Sequence, residues 1–369
     1  MSVTADIDIK YRRGSFLLQM RIAIPDGIVG FFGPSGSGKS SLLKLLAGIE
    51  QPDEGQILVR GRQFYNCASK INVPVRKRKM GLVFQEGRLF PHMTIRKNLL
   101  YGYKPTSSIS FQEVVALLEI EGLLEKKPDQ CSGGERQRVA IGRMLLNSPE
   151  VLMLDEPFSS LDQRLRRNII PYLIRIHEKY SLPIWVVSHD IGDLLMLTDQ
   201  LMVIDCGQVI GSGSYLDLLF DPIAGPILQR EEEINAVRLR AQSIDVLNGL
   251  TAFYYYSDYP ANCLLIDMEK QLMPDEQIIV SIPPQSISLS PERVDSISAR
   301  NQLQGEIISI KEIGRKVFCQ VNVGFPLLVE ITCSSKARLA LKEGAQVFCL
   351  FKSISVKILP LGKSLVLRD

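Results

Sequence analysis

From Ile7 to about Leu228, short runs of consecutive apolar residues alternate with longer amphipathic stretches. The apolar runs at 28–32, 81–84, 151–154, 183–188 and 201–205 include several without a period of two, which predicts strands buried on both faces of a largely parallel sheet. Amphipathic stretches at 39–47, 111–120, 134–146, 163–180 and 191–197 predict the helices that cover it. Near Phe220 the pattern breaks: Pro222, Gly225 and Pro226 precede the triplet Glu231-Glu232-Glu233, as expected of an inter-domain connection. Beyond it, β-rich segments at 262–267, 277–282, 305–310, 317–323, 327–331 and 346–351 are broken by Pro and Gly, as in one or two small β-barrels. Pro283-Pro284 and Pro291 fall between two such blocks, so the tail itself reads as two-part.

Composition narrows the class. A chain of 369 residues suggests two or three domains, and 46% hydrophobic with 22% charged residues fits packed cores rather than a disordered chain or a membrane bundle. No stretch approaches about 18 consecutive apolar residues and the start lacks a signal-peptide apolar region, so no bilayer span is expected. The net charge is +3, from 43 basic and 40 acidic residues, and the part beyond residue 230 is nearly balanced. Neither part has the excess that phosphate-backbone binding needs, so no nucleic-acid partner is expected. The basic run Arg76-Lys77-Arg78-Lys79 reads as a solvated face. Seven scattered cysteines without a C-x-x-C spacing predict free thiols in a reducing compartment, and three histidines argue against a histidine metal cluster.

The chemistry enters at Gly33-Pro34-Ser35-Gly36-Ser37-Gly38-Lys39-Ser40, with Ser41 behind it. This is a G-x-x-x-x-G-K-[ST] loop lying between a predicted strand and an apolar helix, the context a phosphate-binding loop requires. Its backbone N–H groups and the helix dipole face the phosphates, Lys39 reaches the β- and γ-phosphates, and the Ser40 hydroxyl serves Mg2+. The apolar strand Val151-Leu152-Met153-Leu154 ends in Asp155-Glu156. Asp155 would hold the Mg2+ shell, and Glu156 would orient or deprotonate the attacking water.

The run Cys131-Ser132-Gly133-Gly134-Glu135-Arg136-Gln137-Arg138 resembles the signature motif of ATP-binding cassette proteins, departing from its usual Leu-Ser-Gly-Gly-Gln at Cys131 and Glu135. Neither departure removes the hydroxyl and backbone donors of Ser132, Gly133 and Gly134 at a helix N-terminus. The resemblance implies a P-loop NTPase cassette of α/β class with a helical subdomain, binding ATP and Mg2+. It also implies that Gln85 senses metal and water, that Asp162 lies in the D-loop Ser160-Leu161-Asp162, and that His189 is the switch histidine at the γ-phosphate. The family's base-stacking aromatic falls on Tyr11 or Phe16, with Tyr11 slightly favoured. Two cassettes of this family pair head to tail, so a homodimer is implied, each ATP lying between one phosphate loop and the other chain's Ser132-Gly133-Gly134.

Residues 81–95, followed by Asn98-Leu99 and Tyr101-Gly102, look like the segment of bacterial importer ATPases that cups a membrane permease. Ser298-Ala299-Arg300-Asn301-Gln302-Leu303-Gln304-Gly305 resembles the opening of molybdate-binding domains, with further matches at Ile331-Thr332, 339–344 and 350–353. These likenesses divide the chain into a cassette at 1–229, a linker and first β-rich segment at 230–296, and an OB-like, molybdate-binding-type β-barrel at 297–369. By match to that family's pocket, which lies between subunits, Ser298, Arg300, Thr332, Lys352 and Ser353 are the donors expected for molybdate or tungstate. The implied protein is a peripheral ATPase on the cytoplasmic face of the inner membrane. It would work with a permease dimer and, indirectly, a periplasmic or extracellular oxyanion-binding protein. Importers of sulfate, ferric iron, polyamine or sugar, and an oxyanion sensor or store with a switch cassette, remain alternatives.

Overall fold

The computed structural model describes residues 3–103, 109–159, 163–228, 235–247, 250–255, 257–267 and 277–362. The chain divides into two compact units, Met1–Arg230 and Glu231–Asp369.

The centre of the first unit is a six-stranded sheet in the order Gln208–Gly213, Leu201–Asp205, Ile28–Phe32, Ile184–Ser188, Val151–Asp155, Met80–Val83. All neighbours pair in parallel except the first two. The three middle strands are buried at every position, which is why their sequences run apolar without alternation.

The unit also holds a second, antiparallel sheet that the apolar runs do not predict. Val3–Arg13 and Phe16–Pro25 form a hairpin, and the first strand also pairs with Glu54–Val59. Buried Ile7, Ile9, Leu18 and Met20 share one core with Leu42, Leu43 and Leu46 of helix Lys39–Ala47 and with Phe31, Met153 and Trp185 of the parallel sheet. The helix behind the phosphate loop is thereby fixed to both sheets.

The helical segment is built around Gly133–Leu146. A Cβ at Gly142 would lie 3.0 Å from Leu118 and from Leu99, so the missing side chain lets the neighbouring helical segments approach. The helices predicted at 111–120 and 191–197 end earlier, at Leu117 and Leu195.

Arg78 corrects the reading of its basic run as a solvated face. It is fully buried, donating to the carbonyls of Leu45 and Leu46 at 2.8 and 2.9 Å and of Val73 at 2.8 Å. The cation thus caps the C-terminal end of helix Lys39–Ala47, where orphan carbonyls and the negative dipole end favour it.

The second unit contains two five-stranded sheets. One runs Cys263–Ile266, Leu250–Tyr255, Asn235–Leu247, Gln277–Ile282, Lys357–Gly362; the other runs Ser288–Ser290, Gln346–Phe351, Asn301–Ile313, Lys316–Asn322, Pro326–Thr332. Sheet membership does not follow a division at 296/297: Ser288–Ser290 joins the second sheet, and the late strand Lys357–Gly362 returns to the first.

One core spans both sheets, and three buried asparagines fasten them. Asn235 bonds the N–H and carbonyl of Leu328, Asn262 those of Gln304, and Asn301 those of Leu265, all between 2.7 and 3.0 Å. Each side chain acts as a one-residue β-bridge, satisfying backbone groups the core would otherwise leave unpaired. Of the three consecutive tyrosines Tyr254-Tyr255-Tyr256, Tyr255 is buried and donates to the Val323 carbonyl, Tyr254 is half-buried, and Tyr256 lies outside the described residues. Among the described residues no helix is long and apolar enough to cross a membrane.

Candidate nucleotide site

The phosphate loop leaves the C-terminal end of strand Ile28–Phe32, where ligands bind in open α/β sheets. A Cβ at Gly33 would collide with the carbonyl oxygen of Ile204, and Gly38 adopts φ 107° just before the helix. The loop can follow this path because both positions lack side chains. Lys39 is buried with its ammonium drawn into the loop, donating to the carbonyls of Gly33 at 2.7 Å and Pro34 at 2.9 Å. Burial lowers its pKa, and the carboxylates of Glu156 and Asp155 oppose that shift. Pro34, Ser35, Gly36, Ser37 and Ser41 belong to the same turn and helix start.

Ser40 Oγ donates to Asp155 Oδ1 at 2.7 Å, across 115 positions of sequence. Burial raises the Asp155 pKa, partly offset by the Ser40 hydroxyl. A hydroxyl and a desolvated carboxylate, side by side next to the loop lysine, are the oxygen donors that suit Mg2+. The next residue, Glu156, takes φ 49°, a left-handed conformation that non-glycine residues seldom adopt outside constrained sites. Its Oε2 lies 2.8 Å from Nδ1 of His189, which follows strand Ile184–Ser188. Lys39, Ser40, Asp155, Glu156 and His189 are thus linked around the C-terminal ends of three adjacent strands.

Gln85 is exposed just beyond strand Met80–Val83. Ser132 caps helix Gly133–Leu146: its Oγ accepts from the Glu135 N–H, and Glu135 Oε2 accepts from the Ser132 N–H at 2.7 Å. Glu135 completes this reciprocal cap as glutamine would, so the departure from Leu-Ser-Gly-Gly-Gln keeps the cap. Cys131 is buried as a small apolar residue, its thiol pKa raised chiefly by burial. Among the described residues no hydrogen bond joins Ser132, Gly133 or Gly134 to the phosphate loop of the same chain. Asp162 lies outside the described residues.

Of the two candidate aromatics, Phe16 is the one on the loop. Its Cζ would be 3.0 Å from a Cβ at Gly38, whereas Tyr11 lies near Glu50, and burial and that carboxylate raise the phenol pKa.

The ABC transporter family pattern matches residues 19–159, and the TOBE domain pattern matches 297–358. Molybdenum import ATP-binding protein ModC of Rhizobium etli is 36% identical over 362 residues, covering 96% of this chain and 100% of that one. The ModC proteins of Paramagnetospirillum magneticum and Yersinia pseudotuberculosis are 34% and 33% identical, each covering 95% of this chain and 97% of theirs. This chain belongs to the ABC transporter ATP-binding family. A bacterial Atm1-family ABC exporter with ATP bound shares the cassette fold at TM-score 0.53 and 25% identity, over 62% of this chain and 42% of that one. A nucleotide-free cassette of an ABC transporter agrees in fold at TM-score 0.52 and 23% identity, over 62% of this chain and 98% of that one. As a member of the ABC family the chain is an ATPase, and ATP with Mg2+ is what the loop serves.

The TOBE region distributes the oxyanion candidates unevenly. Arg300 and Lys352 are exposed, flanking the Asn301–Phe351 pair that joins two neighbouring strands. Ser298 is exposed nearby in sequence, and Ser353 is buried with an unpartnered hydroxyl oxygen. Thr332 is not brought to them within one chain. It pairs with Lys316, next to the opposite end of the 13-residue strand Asn301–Ile313, and caps helix Cys333–Arg338 by accepting from the Ser335 N–H.

Proposed function

We propose that this chain energises import of molybdate or tungstate, hydrolysing ATP as a homodimer on a separate membrane permease. The observation that carries the cargo is the likeness to molybdenum import ATP-binding proteins over nearly the whole chain, tail included. For hydrolysis, Glu156 is the base that orients water, held by His189; Lys39 and the loop amides neutralise phosphate charge; Ser40 and Asp155 hold Mg2+, with Gln85 sensing the metal and water. Bound Mg2+ supplies Lewis-acid polarisation of the phosphates. Phe16, rather than Tyr11, stacks on the base. Ser132-Gly133-Gly134, with Asp162, complete the site of the opposite chain; the Ser132 hydroxyl standing at the N-terminus of helix Gly133–Leu146 supports the part given to the first three.

In the tail, Ser298, Arg300, Lys352 and Ser353 form one half of an oxyanion site, and Thr332 of a second copy completes it. The unpartnered hydroxyl of Ser353 beside two exposed cations supports this half-site, since a dehydrated dianion needs such donors. Calorimetric titration of the full chain with molybdate, tungstate and sulfate tests the reading. Molybdate or tungstate should bind in preference to sulfate and lose at least about tenfold in affinity in Arg300→Ala and Lys352→Ala. Equal binding of sulfate, or no change in either variant, refutes the oxyanion site.

A further inference from the structure

The segment behind Gln85 lies on the face of helix Gly133–Leu146. From a Cβ built on Gly87, Ala140 Cβ, Gln137 Oε1 and the Arg136 carbonyl oxygen are 3.6, 3.7 and 3.8 Å away. One turn further along the helix, Arg143 holds the same segment by its backbone. Its guanidinium donates to the carbonyls of Arg88 at 2.9 Å and Gly87 at 3.3 Å, and lies over the Phe90 ring at 5.2 Å. Asn98, fully buried, grips the next stretch. Its Oδ1 accepts from the Phe90 N–H at 2.8 Å, and its Nδ2 donates to the carbonyls of Phe90 and Thr94 at 3.1 and 3.2 Å. Arg143 also reaches that Oδ1, at 3.5 Å.

Withdrawing part of a guanidinium from water is costly, and burial lowers its pKa accordingly. An aliphatic side chain would pack against Phe90 without that cost, but it could not bind two successive carbonyls. Both carbonyls are bound by Nη2 while Nη1 reaches Asn98, so a lysine, with a single nitrogen and no planar face to lie over Phe90, cannot hold all three at once.

We propose that Arg143 is a positioning residue that ties the loop carrying Gln85 to the helix opened by Ser132, so that the two move as one body during turnover. This rests on the ATPase mechanism given above. None of its bonds involves residues 33–41, so nucleotide binding to the phosphate loop survives its loss, while the alignment of Gln85 with the signature end of the helix does not.

The test is steady-state ATPase kinetics of the full chain carrying Arg143→Lys or Arg143→Ala. Both variants should lose kcat by about tenfold or more while KM for ATP stays within about twofold. Added ethylguanidinium should restore part of the rate to Arg143→Ala and none to Arg143→Lys. Wild-type kcat in Arg143→Lys overturns the proposal. So does a loss of kcat that merely tracks a lowered thermal midpoint or a matched rise in KM, since that marks a purely structural role. If Arg143→Ala does not fold, Arg143→Lys decides alone. A wild-type chain without turnover would remove the ATPase mechanism and the proposal together, whereas an active wild type matched by Arg143→Lys removes only the proposal.

Discussion

Asp155 and Glu156 are adjacent carboxylates in different surroundings. Asp155 ends a buried strand against the Ser40 hydroxyl, while Glu156 turns out in a left-handed conformation to meet His189. That split suits one to a metal shell and the other to water. Glu156→Gln keeps the shape and removes the base, so ATP binding should persist while turnover falls by about 10²–10⁴-fold. An ATP-dependent dimer should then accumulate in size-exclusion chromatography; wild-type turnover would remove Glu156 from its role. These residues are legible in the sequence because a phosphate loop and a strand-terminal Asp-Glu pair each carry their own local context. Which aromatic lies on the phosphate loop is not, because Tyr11 and Phe16 are near one another in sequence and only the hairpin register, Tyr11 opposite Leu18 and Arg13 opposite Phe16, separates their surroundings.

At the scale of elements, helix Lys39–Ala47 shows how the site is held. Its N-terminal end receives the phosphate loop, its apolar face joins the cores of two sheets, and its C-terminal carbonyls close on Arg78. Gly48 is forced to remain small, since a Cβ there would lie 2.7 Å from the Arg78 guanidinium carbon. Arg78→Met should cost about 2–4 kcal/mol in urea unfolding, because buried carbonyls lose their donors while the volume is kept. A cost under about 0.5 kcal/mol would match the solvated-face reading instead. Four consecutive cationic residues give no sign of which one turns inward. That depends on where the helix C-terminus lies in space, and the contacts join Arg78 to residues 32 and 33 positions away. The antiparallel sheet is hidden for another reason. Its strands at 3–13 and 16–25 bury alternate positions, a weaker signal than the continuous apolar runs of the parallel sheet.

At the scale of the molecule, each unit contains a core built, among the described residues, from its own elements: one around the phosphate-loop helix, the other shared by the two tail sheets. Saturating ATP with Mg2+ binds only the folded cassette, so calorimetry of Glu156→Gln should show the cassette transition raised by about 2.7 kcal/mol at 100 times Kd, with the tail transition unmoved. A single transition shifted as a whole would mean that the units unfold together. The sequence alone determined the class of this protein, because motifs such as Gly33–Ser40 and Ser132–Gly134 act through backbone geometry within a few residues, and buried parallel strands must be apolar throughout. Tertiary structure alone decided which distant groups meet: Ser40 with Asp155, Glu156 with His189, Arg143 with the carbonyls behind Gln85, and Thr332 apart from Arg300. Such meetings depend on strand order, register and crossovers, and short-range periodicity encodes none of these.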